Sequence, residues 1–135
     1  MKILILGAGQ VGSTAAYHLS REEANEVTVV DMRPEMLREL LYRLEIRTVV
    51  GHAAYPEVLE RAGANDADIV VALTDMDETN MVACQVMYTL FRTPTRIARL
   101  RSDELTLLLP GLRRPGDALE VGRRMLQLLD EPFTV

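Results

Sequence analysis

One cysteine, two histidines, no block of like charge and no long apolar run narrow what this 135-residue chain can do before any motif is read. A lone thiol, Cys84, cannot close an internal disulfide, and such scarcity suits a reducing cytoplasm. The apolar run at the amino terminus covers only residues 3–6 and breaks at Gly7, too short for a signal-peptide core or a membrane span. The formal net charge is −5, and no cluster of arginines stands clear of acids, so the basic face that a nucleic-acid backbone requires is missing. His18, His52, Cys84 and the tyrosines form no evident acid–base pair, so nothing marks a catalytic centre. Length and a hydrophobic content of 48% are those of one ordinary domain with its own core.

What the chain does have is concentrated at its start. Ile3-Leu4-Ile5-Leu6 feeds Gly7-Ala8-Gly9-Gln10-Val11-Gly12, a helical pattern follows, and a second apolar run closes on Asp31. A G-x-G-x-x-G alone is weak, but strand, glycines, helix, strand and acid in that order form a dinucleotide-binding fingerprint. Gly7 permits the tight turn out of the strand, Gly9 removes the Cβ that would hold a pyrophosphate off the backbone, and Gly12 lets the helix pack close to the strand. The helix from Gln10 then aims unpaired N–H groups and the positive end of its dipole at the phosphates. Asp31 follows Gly12 by 19 residues, near the roughly 20 expected of a carboxylate that accepts from an adenosine ribose. Its charge would repel a 2′-phosphate, so NAD(H) or another adenine nucleotide with an unphosphorylated ribose is expected over NADP. Arg33 pulls the other way, since an arginine there can accommodate that phosphate.

The rest of the chain reads as further βα units. A helix over 10–21 carries Val11, Ala15, Ala16 and Leu19 on one side, with His18 half-exposed beside Tyr17. A β-branched strand over 27–30 precedes a helix opened by Pro34, whose inner face is Met36, Leu37, Leu40, Leu41 and Leu44. A third strand over 46–50 ends at Gly51-His52, where small residues and backbone can border an adenine; His52 is either a ligand contact or an exposed loop side chain. Pro56 opens a short helix that Gly63 stops. The fourth strand, 67–73, is apolar throughout, as a central strand covered on both faces should be.

Thr74 to Asn80 then meets the first loop at the topological switch point, with Thr74 and Asp75 expected on the ligand's second side. Asp77 is either part of that site or the N-cap of the helix over 78–91, bonded to the Asn80 amide. Cys84, among Met81, Val82, Val86 and Met87, reads as a buried, inert thiol. In the fifth strand, 96–100, Arg99 and Arg101 are expected on one side, bound either to a phosphate or carboxylate or to the acids at 75–78. A final helix capped by Asp117 is expected to run to about residue 130, with Gly122 inside its apolar stripe.

Several stretches together resemble a known family: residues 1–12, Val29-Val30-Asp31, Gly51-His52, Ala72-Leu73-Thr74-Asp75, the run from Asp77 to Gln85, and Arg96 to Ser102. They look like the amino-terminal half of TrkA-type proteins, the RCK or KTN domains, over roughly residues 1–102. The Asp77 to Gln85 run is the most specific part. The resemblance implies a Rossmann-like, doubly wound α/β fold with a parallel sheet of order 3-2-1-4-5. It implies a core at 1–102 and, at 103–135, a shortened linker plus a carboxy-terminal helix of the same domain. The leucine-rich stretch 103–115 looks too short for the sixth strand usual in that family, and the chain ends where a second nucleotide-binding half or a carboxy-terminal RCK subdomain would begin.

Carried over by position, the resemblance assigns the phosphate loop to Gly7, Gly9, Gln10 and Val11, and the ribose acid to Asp31 with Met32 beside it. Gly51 and His52 border the adenosine, Thr74 and Asp75 face it from the second side, and Glu78 and Arg99 are contacts to phosphates, a metal or a neighbouring subunit. The implied ligand is NAD or NADH, with ADP or ATP as further candidates. The implied role is a cytoplasmic regulatory subunit, peripheral to the inner face of the plasma membrane, that assembles as a homodimer or larger ring and gates a TrkH-type potassium transporter. No catalytic residue and no metal ligand is assigned. Two alternatives stand beside this reading: a nucleotide-binding module of another cation channel or transporter, and a small NAD-dependent oxidoreductase. Against the second, NADH incubated with the chain and common carbonyl substrates is expected to keep its near-ultraviolet absorbance, and its consumption would overturn the sensor reading.

Overall fold

The structure, a computed structural model, describes residues 1–101 and the backbone of a strand at Glu104–Leu108. Strand β1 (Lys2–Leu6) leads into helix α1 (Gln10–Ser20), and β2 (Glu26–Asp31) into α2 (Pro34–Arg43). Strand β3 (Arg47–Val50) is followed by α3 (Pro56–Arg61) and a 3₁₀ turn at Ala64–Asp66. Strand β4 (Ile69–Ala72), helix α4 (Asp77–Phe91), β5 (Thr95–Leu100) and β6 (Glu104–Leu108) complete the described chain. The sheet order is 3-2-1-4-5-6, with β1 to β5 all parallel, as the βα alternation requires.

Period-two alternation sends successive side chains of the central strands to opposite faces. Ile3, Ile5, Val27, Val29, Ile69 and Val71 pack with Ala15, Ala16, Leu19, Leu37 and Leu40, so α1 and α2 cover one face. Leu4, Leu6, Val70, Ala72 and Ala98 pack with Val58, Leu59, Ala83, Cys84 and Met87, so α3 and α4 cover the other. Strands buried on both sides must be apolar at every position, and β4 is. Within α2 the expected apolar stripe is narrower than its leucine count: Leu37 and Leu40 are buried, whereas Leu41 is exposed. Gly63 stops α3 in the left-handed region, with φ 93°.

The sixth strand corrects an expectation. The stretch after β5 looked too short for it, but β6 pairs antiparallel with β5, Leu100 opposite Glu104 and Arg96 opposite Leu108. An antiparallel neighbour needs only a hairpin, not the dozen or more residues of a parallel crossover, so a short segment suffices. Arg101 starts the reversal with φ 58°, and its amide donates to Asp77 Oδ2 at 2.8 Å. The helix expected after Asp117 lies outside the described residues.

In the turn between β1 and α1 the backbone of the helix comes close against the backbone that leaves the strand. Gly7 has φ 110°, and a Cβ built on Gly12 would stand 1.8 Å from the Gly7 carbonyl oxygen. No side chain can give way there, because the obstacle is backbone. Gly12→Ala is therefore expected to destabilise the chain by roughly 2 kcal/mol or more, read from urea unfolding.

Candidate functional site

A crevice of about 720 Å³ opens at the carboxyl ends of the strands, where the first βα turn faces the loop after β4. This is the topological switch point, where β1 is followed in the sheet by β2 on one side and β4 on the other. The volume suits a nucleotide-sized ligand. Gly7, Gly9, Gln10 and Val11 line it from the first turn, and Asp31 and Met32 from the end of β2. Gly51 and His52 reach it from the end of β3, Thr74 and Asp75 from the loop after β4, and Arg99 from β5. Glu78 does not: it is exposed on the first turn of α4 and lies outside the crevice lining.

Gly9 is the N-cap of α1 and has no side-chain capping bond. A Cβ built on it would meet nothing within 4 Å, so the backbone at the helix start is laid bare to the crevice. Ser13 N–H already bonds the Gly9 carbonyl at 2.8 Å, which shows the first helical turn formed. Bare amides at a helix N-terminus together with a carboxylate in the same crevice fit the diphosphate and ribose of an adenine nucleotide.

That carboxylate is Asp31, 8% exposed and the most heavily bonded acid of the site. Its Oδ2 accepts from the Ala8 amide at 2.7 Å and from Arg33 Nη2 at 3.2 Å. Its Oδ1 accepts from the Arg33 amide at 2.8 Å and Arg33 Nε at 3.0 Å. Burial by itself would raise its pKa; the Arg33 guanidinium and the two backbone amides outweigh burial and hold it below the ordinary carboxylate range.

The opposite wall rests on a residue to which sequence reasoning gave no role. Asn80 is fully buried, and its Oδ1 accepts from the Thr74 amide at 3.0 Å and from Thr74 Oγ1 at 2.6 Å. Its Nδ2 donates to the Thr74 carbonyl at 3.0 Å and the Arg99 carbonyl at 2.7 Å. One amide side chain thus ties the loop after β4 to the end of β5. The available signal was an Asn in the first turn of a helix, where a side chain can reach back to the preceding loop. Of the two roles open to Asp77, the N-cap falls to Met76, whose carbonyl accepts from Asn80 N at 3.0 Å, and the crevice lining does not include Asp77, which holds the Arg101 amide.

His52 is fixed as well as present. Its Nδ1 accepts from the Ala54 amide at 3.1 Å, and its ring stacks on Tyr55 with centroids 4.4 Å apart. Arg33, Ala53, Met76 and Thr79 also line the crevice. Arg101, expected to share a face with Arg99, follows the end of β5 and is exposed. Arg96 is buried away from the crevice, its guanidinium 4.4 Å over the Tyr88 ring and bonded to the Thr93 carbonyl at 3.0 Å. Cys84 is buried and its thiol pKa is pushed up to about 12 by that burial, so it is an inert core residue. Among the described residues no group of three or more His, Cys, Asp or Glu is placed to hold a metal ion, and no helix is long and apolar enough to cross a membrane.

Because the folded pKa of Asp31 lies below its unfolded value, its contribution to stability is complete above about pH 4 and is lost as pH falls through the lower, folded pKa. Urea unfolding from pH 7 to pH 3 is expected to show this acid loss in the wild-type chain and a flatter profile in Asp31→Asn.

Comparison with known proteins follows the same lines. A family model described as the TrkA-N domain matches residues 3–112. The Trk system potassium uptake protein TrkA of Halomonas elongata is 63% identical over 102 residues, covering 76% of this chain and 22% of that protein. The protein of the same name from Azorhizobium caulinodans is 42% identical over 147 residues, covering 100% of this chain and 31% of the relative. The chain thus spans 22% to 31% of the length of these curated relatives. Among solved structures, the Kef CTD of Shewanella denitrificans in its AMP-bound form superposes with a TM-score of 0.58 at 21% identity, over 69% of this chain and 55% of that one. That likeness shows a shared fold.

Proposed function

The chain belongs to the TrkA-N domain family, and from that membership and the crevice we propose a nucleotide-sensing regulatory module of a potassium uptake system. In this reading the crevice binds NAD or NADH, with ADP or ATP as further ligands. The bare backbone at Gly9, Gln10 and Val11 receives the diphosphate. Asp31, with Met32 beside it, receives the ribose, and Gly51 and His52 border the adenosine. Thr74, Asp75 and Arg99 face the ligand from the second side. The observation that supports this most is that the open Gly9 backbone and the Asp31 carboxylate share one crevice at the switch point.

A sensor needs no proton donor and no metal; it needs a ligand that contacts two arrangements of an assembly unequally. The two walls of the crevice belong to different halves of the sheet, and Asn80 links one of them rigidly to β5. A nucleotide bridging both walls would therefore act on elements far apart in sequence. The partner proposed is a TrkH-type membrane potassium transporter, met at the cytoplasmic face of the membrane by a homodimer or larger ring of this subunit. The relatives' name, Trk system potassium uptake protein, supports that partner class.

Calorimetry with NADH, NAD and ADP tests the site. Gly9→Val places a side chain where the backbone is now open and has room to fold, since its φ of −71° and ψ of −167° are extended. It is expected to abolish binding with little change in melting temperature, and Asp31→Ala is expected to abolish it as well. Undiminished binding in both variants would refute the assigned site.

A further inference from the structure

The Asp31 carboxylate has about four in-plane lone-pair positions, and four donors occupy them. Two are backbone amides, Ala8 at 2.7 Å and Arg33 at 2.8 Å, fixed by the turns that begin α1 and α2. The other two belong to the Arg33 side chain, Nε on Oδ1 at 3.0 Å and Nη2 on Oδ2 at 3.2 Å, one to each oxygen. A ribose presents a cis-diol whose two hydroxyls would likewise donate one bond to each oxygen. The guanidinium fork and the diol are therefore rival occupants of the same two positions.

We propose that Arg33 is a displaceable latch on this site: its guanidinium holds the ribose-binding face of Asp31 in the free chain and must swing out before a nucleotide carrying a free ribose diol can dock. This rests on the reading of Asp31 as the ribose acid. The side chain can make that movement, because it is 52% exposed while the carboxylate beneath it is 7% exposed. Its release leaves it near a second anion, since Asp75 lines the same crevice and adds to the attraction that holds Arg33 protonated. The latch lowers apparent affinity by the fraction of molecules in which it is closed. It also keeps the buried carboxylate charged and correctly turned until the ligand arrives. The cost of opening the latch falls on ligands that use this face of Asp31, so a nucleotide with the diol bears it and an analogue without the diol does not.

The test is a comparison of ADP with 2′,3′-dideoxyadenosine 5′-diphosphate, titrated into the full chain and its variants by calorimetry. Arg33→Ala is expected to bind ADP about fivefold more tightly than wild type, the scale of a partly exposed ion pair removed as a competitor. Its gain for the dideoxy analogue is expected to stay within about twofold. Arg33→Gln, which keeps bulk but not the fork, is expected to gain for ADP in the same direction, and circular dichroism melting checks that both variants fold. Arg33→Ala binding ADP no more tightly than wild type, or more weakly, would overturn the latch, and so would an equal gain for both ligands. Failure of the underlying reading looks different: Asp31→Ala then binds ADP as well as wild type does, or the wild-type chain binds no ADP at all.

Discussion

A buried carboxylate joins the two turns that make the crevice. Asp31 takes the amide of Ala8 in the first βα turn and the amide of Arg33 in the second, so one side chain sets the spacing between the starts of α1 and α2. An ion this far from water is tolerable only when its lone pairs are filled, and two of the four donors are main-chain groups that cannot wander. The same constraint that stabilises the loops therefore pre-orients a charged acceptor at the mouth of the sheet. The residue that ties the two turns together also lines the crevice.

The first turn is shaped by two contacts of opposite character. At Gly12 the helix is pressed against the Gly7 carbonyl so closely that no side chain fits, which welds α1 to the sheet. Three residues earlier, at Gly9, nothing approaches at all. Glycine is present in one case because the protein fills the space and in the other because it leaves the space open. The far wall is built differently, by the amide side chain of Asn80 gripping Thr74 and the carbonyl of Arg99. Hydrogen bonds thus tie both sides of the crevice, and Arg33, half-exposed, lies across the Asp31 carboxylate.

Membership of the TrkA-N family and the six-stranded doubly wound sheet agree with one another, and the likeness to the Kef CTD of Shewanella denitrificans is one of fold. Function in such folds is carried by the site and not by the sheet. The particular combination here is an open glycine turn, a carboxylate with all its lone pairs engaged and a histidine stacked on Tyr55, gathered in one crevice.

Order along the chain was enough to determine the βα alternation, the parallel sheet, the turn that carries Gly7, Gly9 and Gly12, and the distance to Asp31, because each follows from local periodicity and backbone sterics. The burial of Cys84 was legible in the same way, from the apolar residues around it. Only the tertiary structure decided the rest. Asp77 forgoes the cap for the Arg101 amide, Asn80 becomes the buried tie between two strands, and β6 arrives by a hairpin. Arg33 turns inward onto Asp31, while Glu78 is left outside the crevice. These outcomes depend on which donors and acceptors meet across 19 or 24 positions of sequence, and a one-dimensional pattern records the residues without their encounters.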